Sequence, residues 1–199
     1  MRNKIMAYIA LALGVAQVLL VLTSWLITAA MPEVFDHSLL SAEGIRWFFG
    51  RFQDNLASPL LVWLLLASIA LGALQKSGLS HFDVSEYRQR IAMRLVVFEL
   101  VVFLAIIMAL TLVPHAILLN VMGGLYPSSF SMSIVPYICF VVMFVSVSFG
   151  MMSGKLKGME SVFGALTVGI SRMSPIFVIY VLAMQFYYSL MFLFSTFLS

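Results

Sequence analysis

Long apolar runs alternate with short polar stretches along this chain. Ile5 to Ala30 carries no charge. About 20 apolar residues cross a bilayer core, so this run predicts a spanning helix. Its end, Thr28-Ala29-Ala30, is faintly like a signal-peptidase site. Signal h-regions are only about 7 to 15 residues long, however, and the length favours a retained helix. Further spans are predicted at Leu60 to Leu74, beginning at Pro59 or near Leu56, and at Leu95 to Val113, Ile134 to Met152 and Ile176 to Leu198.

The segment from Ser38 to Leu79 shows how one run feeds the next. Ser41 suits an N-cap, and Glu43 falls in the first turn, where the helix dipole favours an anion. Ile45, Phe48, Phe49 and Phe52 share one helical face, with Glu43, Arg46, Arg51 and Asp54 on the other side. Such a short aromatic helix suits the lipid–water boundary; packing on neighbouring spans is the alternative. Ser58-Pro59 then breaks the chain, with Pro59 placed like a first-turn proline. Further on, Asp83 and Glu86 have capping-box spacing, which predicts a helix start near Val84. Residues 115–133 carry no charge but include two glycines and Pro127. They read as an external loop, part of which, Ala116 to Met122, is apolar enough to dip into the membrane.

Met159, Val162, Phe163, Leu166, Ile170 and Met173 mark a second amphipathic helix, followed by Ser174-Pro175 and the last span. The order span, amphipathic helix, Ser-Pro, span thus occurs at 5–74 and again at 134–198, linked by 75–133. Two like units of opposite orientation form a candidate inverted repeat, as in secondary transporters. The fold class expected is all-α: a polytopic integral membrane protein with about five transmembrane helices and two interfacial amphipathic helices, in a single membrane domain over 1–199.

Charge sets the orientation. The Lys/Arg-rich segments are the N-terminus, 75–94 and 153–172, and all three fall on one side of a five-span arrangement. Residues 31–57, with four acids and two arginines, fall on the other. The positive-inside rule then places the N-terminus in the cytoplasm and the C-terminus outside. Composition agrees: 63% of the 199 residues are hydrophobic and 10% charged, and mean hydropathy is +1.09. Lipid is the implied partner, and the net charge of +3 sits at span ends, where it gives no nucleic-acid signal. The lone Cys139 excludes an intramolecular disulfide.

Chemistry-bearing residues are few. Glu99 is the acid inside an apolar run, about five residues beyond Arg94. An intramembrane carboxylate suits a coupling or proton-carrying role, or pairing with Arg94, Arg90 or Lys155. Gln17, Thr23, Ser24, Ser68, Thr111, Ser146, Ser148, Gln185 and Ser189 are polar groups within spans and ordinarily bond to backbone or another helix. Asn120, with Gly123 and Gly124, falls where a broken segment would expose backbone to a ligand. Glu99, Asn120 and Gln185 are the transport or coupling candidates. His37, His81 and His115 form no metal set, no cofactor motif is present, and without HExxH, GxSxG or a phosphate-binding Gly loop an enzyme is not expected.

Leu39-Leu40-Ser41-Ala42-Glu43-Gly44-Ile45-Arg46-Trp47 and Lys76-Ser77-Gly78-Leu79 resemble the p-aminobenzoyl-glutamate transporter (AbgT) family. That family has an "LLS-x-EGI" stretch after its first span and an "(E/K)SGL" end to its second. A second resemblance runs from Gly154 to Phe194, where Ala183-Met184-Gln185-Phe186 is similar to a family "AQF" core. Family members are more than twice as long, usually dimeric, and place their substrate contacts on two re-entrant hairpins. The first hairpin has no counterpart between the third and fourth spans here, and the second would lie beyond the C-terminus, so no binding residue is carried over. The resemblance implies a reduced, ion-driven transporter of a small organic anion (aminobenzoyl-glutamate or an antimetabolite) in a bacterial inner (plasma) membrane. It would act as a homo-oligomer or with a second membrane subunit. A non-transporting subunit or scaffold that kept the fold is the alternative.

Overall fold

A computed structural model describes residues 2–32, 35, 37–112 and 128–195. Its elements are all helices: α1 (Arg2–Ala30), α2 (Ala42–Gly50), α3 (Phe52–Leu56), α4 (Pro59–Ser77), α5 (Tyr87–Leu112), α6 (Ser129–Ser153) and α7 (Gly158–Leu193), with a 3-10 turn at Leu79–His81. No strand occurs among the described residues. Five helices are long and apolar enough to cross a membrane: α1, α4, α5, α6 and α7. Contacts divide the chain into two compact units, residues 1–61 with 173–199, and residues 62–172. The division falls inside α4 and α7.

The first unit is pinned by short polar contacts. Ser24 of α1 accepts the backbone N–H of Leu39 at 3.2 Å, and Thr28 donates to His37 O at 3.3 Å. Ser41 caps α2 as its sequence implies, accepting from Gly44 N at 3.0 Å. Gly44 lies so close to the Ser38–Leu39 backbone that a methyl group there would stand 2.7 Å from Leu39 Cα. From this turn α2 and α3 run along the second half of α7. Trp47 stacks on Phe192 at 4.5 Å, Asn55 meets Gln185, and Ser58 meets Tyr180. Rising numbers on one side against falling numbers on the other make the pairing antiparallel.

Packing on a neighbouring helix is therefore what α2 does. The side that packs carries Gly44 and Trp47, not the phenylalanine stripe. Phe49 remains 75% exposed. A stripe that points away from protein is suited to lipid, where apolar side chains need no burial.

In the second unit α5 packs along α6. Ala92, Val96, Val145 and Phe149 form its buried centre, edged by Leu79, Phe82, Met93, Phe103 and Val141. Tyr137 donates to Phe103 O at 2.5 Å. The α6–α7 turn is stiff: Gly154 adopts φ +80° and Leu156 N donates to Gly150 O at 2.8 Å. A methyl group on Gly169 of α7 would overlap Ser68 O and stand 2.8 Å from Gly72 N of α4. These backbones touch because neither glycine carries a side chain.

Two expectations are corrected. The second amphipathic segment and the last span are one continuous helix of 36 residues, with Pro175 inside it. A proline in a helix removes one N–H and displaces one carbonyl, and in lipid neighbouring hydroxyls and helices re-satisfy the freed group. Ser174-Pro175 thus interrupts nothing, whereas at Ser58-Pro59 the helix does break, between Leu56 and Pro59. The Asp83–Glu86 box does not form either: α5 starts at Tyr87. Asp83 instead accepts from Ser85 N at 2.8 Å, and Gln89 accepts from Asp83 N at 2.9 Å while donating to Glu86. The short Asp side chain closes a turn on itself before a helix can begin.

Gly169→Ala should lower stability by about 1–3 kcal/mol, since added volume meets backbone that has no room to yield. Gly164→Ala on the same helix, with open space at its Cβ, should be neutral or gain up to about 1 kcal/mol; unfolding in mixed SDS micelles compares them. At Asp83 the bonds from Ser85 hold the carboxyl below its ordinary value. Its contribution is complete above the unfolded value of about 3.9 and fades as pH falls through the lower folded value. The protection factor of the Ser85 amide, its exchange rate relative to the intrinsic rate at the same pH, should therefore exceed one at neutral pH and fall toward one as pH drops below about 4, and Asp83→Ala should remove that change.

Candidate functional site

A helix surrounded by lipid has few places to put a polar side chain. In the first unit four of them meet. Gln17 of α1 donates through Nε2 to Ser189 Oγ at 3.0 Å, and Ser189 donates to the Gln185 carbonyl at 2.7 Å. Asn55 of α3 donates to Gln185 Oε1 at 3.5 Å. Asn55, Gln185 and Ser189 are all buried. Two buried amide atoms remain without partners, Gln17 Oε1 and Gln185 Nε2. One is an acceptor and the other a donor, so each has unused hydrogen-bonding capacity.

Asn55 is also the inner wall of a groove of about 500 Å³ in this unit. Trp47, Tyr188 and Phe192 give the groove aromatic sides, and Arg51 and Asp54 give it charge of both signs. Arg51 and Asp54 are exposed, and Arg51 has no carboxylate within 4 Å among the described residues. The volume falls within the range of small-molecule sites. The arrangement offers a cation, a carboxylate, flat rings and one carboxamide to a ligand.

Gln185, expected as a candidate, thus sits at the centre of the cluster, where it is held by Asn55. Asn55 was not anticipated. The available signal was its position four residues before Pro59, where the proline leaves a backbone carbonyl without its helical N–H. Asn120 lies outside the described residues.

Glu99 belongs to the second unit, where its partner is Ser148 of α6. Ser148 donates to Glu99 Oε1 at 2.6 Å, and Glu99 Oε2 is buried without a partner. The expected pairing with Arg94, Arg90 or Lys155 is not made. At about 100° per residue, Arg94 and Arg90 project from the far side of α5, and the Lys155 side chain lies over the Gly78 turn. Among the described residues no three His, Cys, Asp or Glu gather as a metal site requires.

Comparison with protein-family models, curated proteins and solved structures finds no match to this chain.

Removing the hydroxyl in Ser189→Ala would leave Gln17 with neither amide atom bonded. The expected loss is about 0.5–2 kcal/mol. Thr23→Val, at an exposed hydroxyl bonded only to its own helix, should stay within about 0.5 kcal/mol. Equal losses for the two, read by denaturation in mixed micelles, would dismiss the cluster as an energetic unit.

Proposed function

We propose that this chain is a multi-pass membrane carrier of a small organic anion, N-terminus inside and C-terminus outside, working as a homo-oligomer and similar to AbgT-family transporters. The observation that carries the reading is the amide cluster behind the groove. Buried polar groups with unused hydrogen-bonding capacity are costly in a low-dielectric interior, and a ligand that binds there recovers the cost. Arg51 would take the ligand's carboxylate, and the Trp47, Tyr188 and Phe192 rings its flat portion. Asn55 would link the bound molecule to Gln185.

The candidate inverted repeat of 5–74 and 134–198 would fit the same reading, with the difference that the helix breaks before Pro59 and runs on through Pro175. α2 through α4 cover residues 42–77 and α7 covers 158–193, equal lengths, and Pro59 and Pro175 both stand at the eighteenth position. If the two segments are inverted copies, they would give a carrier two related conformations facing opposite sides. In this scheme Glu99, hydrogen-bonded by Ser148, is the coupling group. The backbone contact of Gly72 with Gly169 favours a second reading, a rigid membrane scaffold, in which the polar cluster serves only to fix helix positions.

Uptake of labelled p-aminobenzoyl-glutamate into proteoliposomes separates the two. The carrier predicts flux above protein-free vesicles, reduced about tenfold or more by Arg51→Gln, as loss of a charge-assisted contact implies. Glu99→Gln should abolish the response of flux to an imposed pH gradient while leaving substrate binding in place. Absence of both binding and flux across a panel of aromatic carboxylates would favour the scaffold.

A further inference from the structure

The second unit carries a groove of its own, about 560 Å³, unrelated to the amide cluster. It is lined by Lys76 from the last turn of α4, Lys155 from the α6–α7 turn, and Ser161, Thr167 and Ser171 from α7, with Leu156 as an apolar wall. Both lysines are exposed, and neither has a carboxylate within 4 Å among the described residues.

The groove is built rather than incidental. Lys155 stands between Gly154, at φ +80°, and Leu156, which is buried against Gly150. Its backbone position is fixed from both sides. Its side chain crosses Gly78, where any Cβ would overlap it. The plan also matches the first groove. Residues 51 and 55 there, and 167 and 171 here, stand eight and four positions before a proline. The difference is in charge. Arg51 and Asp54 offer both signs, whereas the charged residues lining this groove are lysines alone. Thr167 donates its hydroxyl proton to its own helix, and the two ammonium groups and the Ser161 hydroxyl are donors at the groove.

We propose that this groove binds a phosphate-bearing anion, with Lys76 and Lys155 as paired cations and Ser161 as a neutral donor. Ammonium groups act as point charges that suit a compact, multiply charged oxyanion. Basic pockets at the cytoplasmic ends of membrane helices take phospholipid headgroups by the same chemistry, and Leu156 and the α7 face would receive the glycerol portion. The inference is independent of what, if anything, the first groove transports.

The test is native mass spectrometry of the full chain with phosphatidylglycerol and with phosphatidylcholine, repeated with millimolar inorganic phosphate. Phosphatidylglycerol should be retained over phosphatidylcholine. The double variant Lys76→Gln/Lys155→Gln should lose that preference by roughly tenfold or more, while Lys76→Arg/Lys155→Arg keeps it. Lys157→Gln, a neighbouring lysine outside the groove, should change it less than about twofold, since a surface charge away from the site adds only general attraction. Displacement by inorganic phosphate assigns the site to the phosphate group alone; retention in its presence assigns it to the lipid. No preference in the native chain, or an equal loss in Lys157→Gln, overturns the proposal.

Discussion

In the first unit the helix that starts at Pro59 depends on the hydroxyl of Tyr180. Between Leu56 and Pro59 the backbone leaves its helical path, and in an apolar surrounding every freed carbonyl needs a partner. Tyr180 donates to Leu56 O at 2.8 Å and meets Ser58 Oγ at 2.7 Å. Ser58 N also reaches Leu56 O at 2.8 Å. With the break closed in this way, Asn55 is held against Gln185 and Trp47 against Phe192. A tyrosine suits the post because its ring is apolar and only its tip needs a partner.

The apolar runs, the Ser41 cap and the polar outlier Gln185 were legible in the sequence, because each is decided within a few residues by length, hydropathy or cap chemistry. Tyr180 was not, since nothing in a run of apolar and aromatic residues marks the one whose tip faces a helix break. Pro59 and Pro175 follow serine alike, yet one starts a helix and the other lies within one. Proline is compatible with both states, and what surrounds it chooses. Glu99 was recognisable as an acid inside an apolar run. Its partner Ser148 was not, because helical periodicity gives the direction a side chain takes from its own axis but not the helix that it meets.

The exposure pattern is the reverse of a water-soluble fold. Apolar side chains such as Leu11, Phe98 and Met159 are largely exposed, whereas Ser68, Ser77, Ser146 and Ser189 are fully buried. Where lipid surrounds a helix, apolar groups gain nothing by turning inward, and small or hydrogen-bonding residues become the ones that hold helices together. Ser68 and Ser77 donate to their own helix at 2.7 and 3.0 Å; Ser77 also accepts from Leu79 N at 3.3 Å, so it is at Ser68 that the value lies in size.

The contact of Gly72 with Gly169 carries this to its limit. Elsewhere a helix pair that interdigitates must freeze the rotamers of the side chains it brings together, at up to about 2 kcal/mol for a long one. Two glycines have no rotamers to freeze. Their Cα–H groups can lie directly on the opposite carbonyls, adding weak C–H···O attraction. The junction therefore forms without losing side-chain disorder, and its strength should depend little on temperature compared with a junction made by leucines.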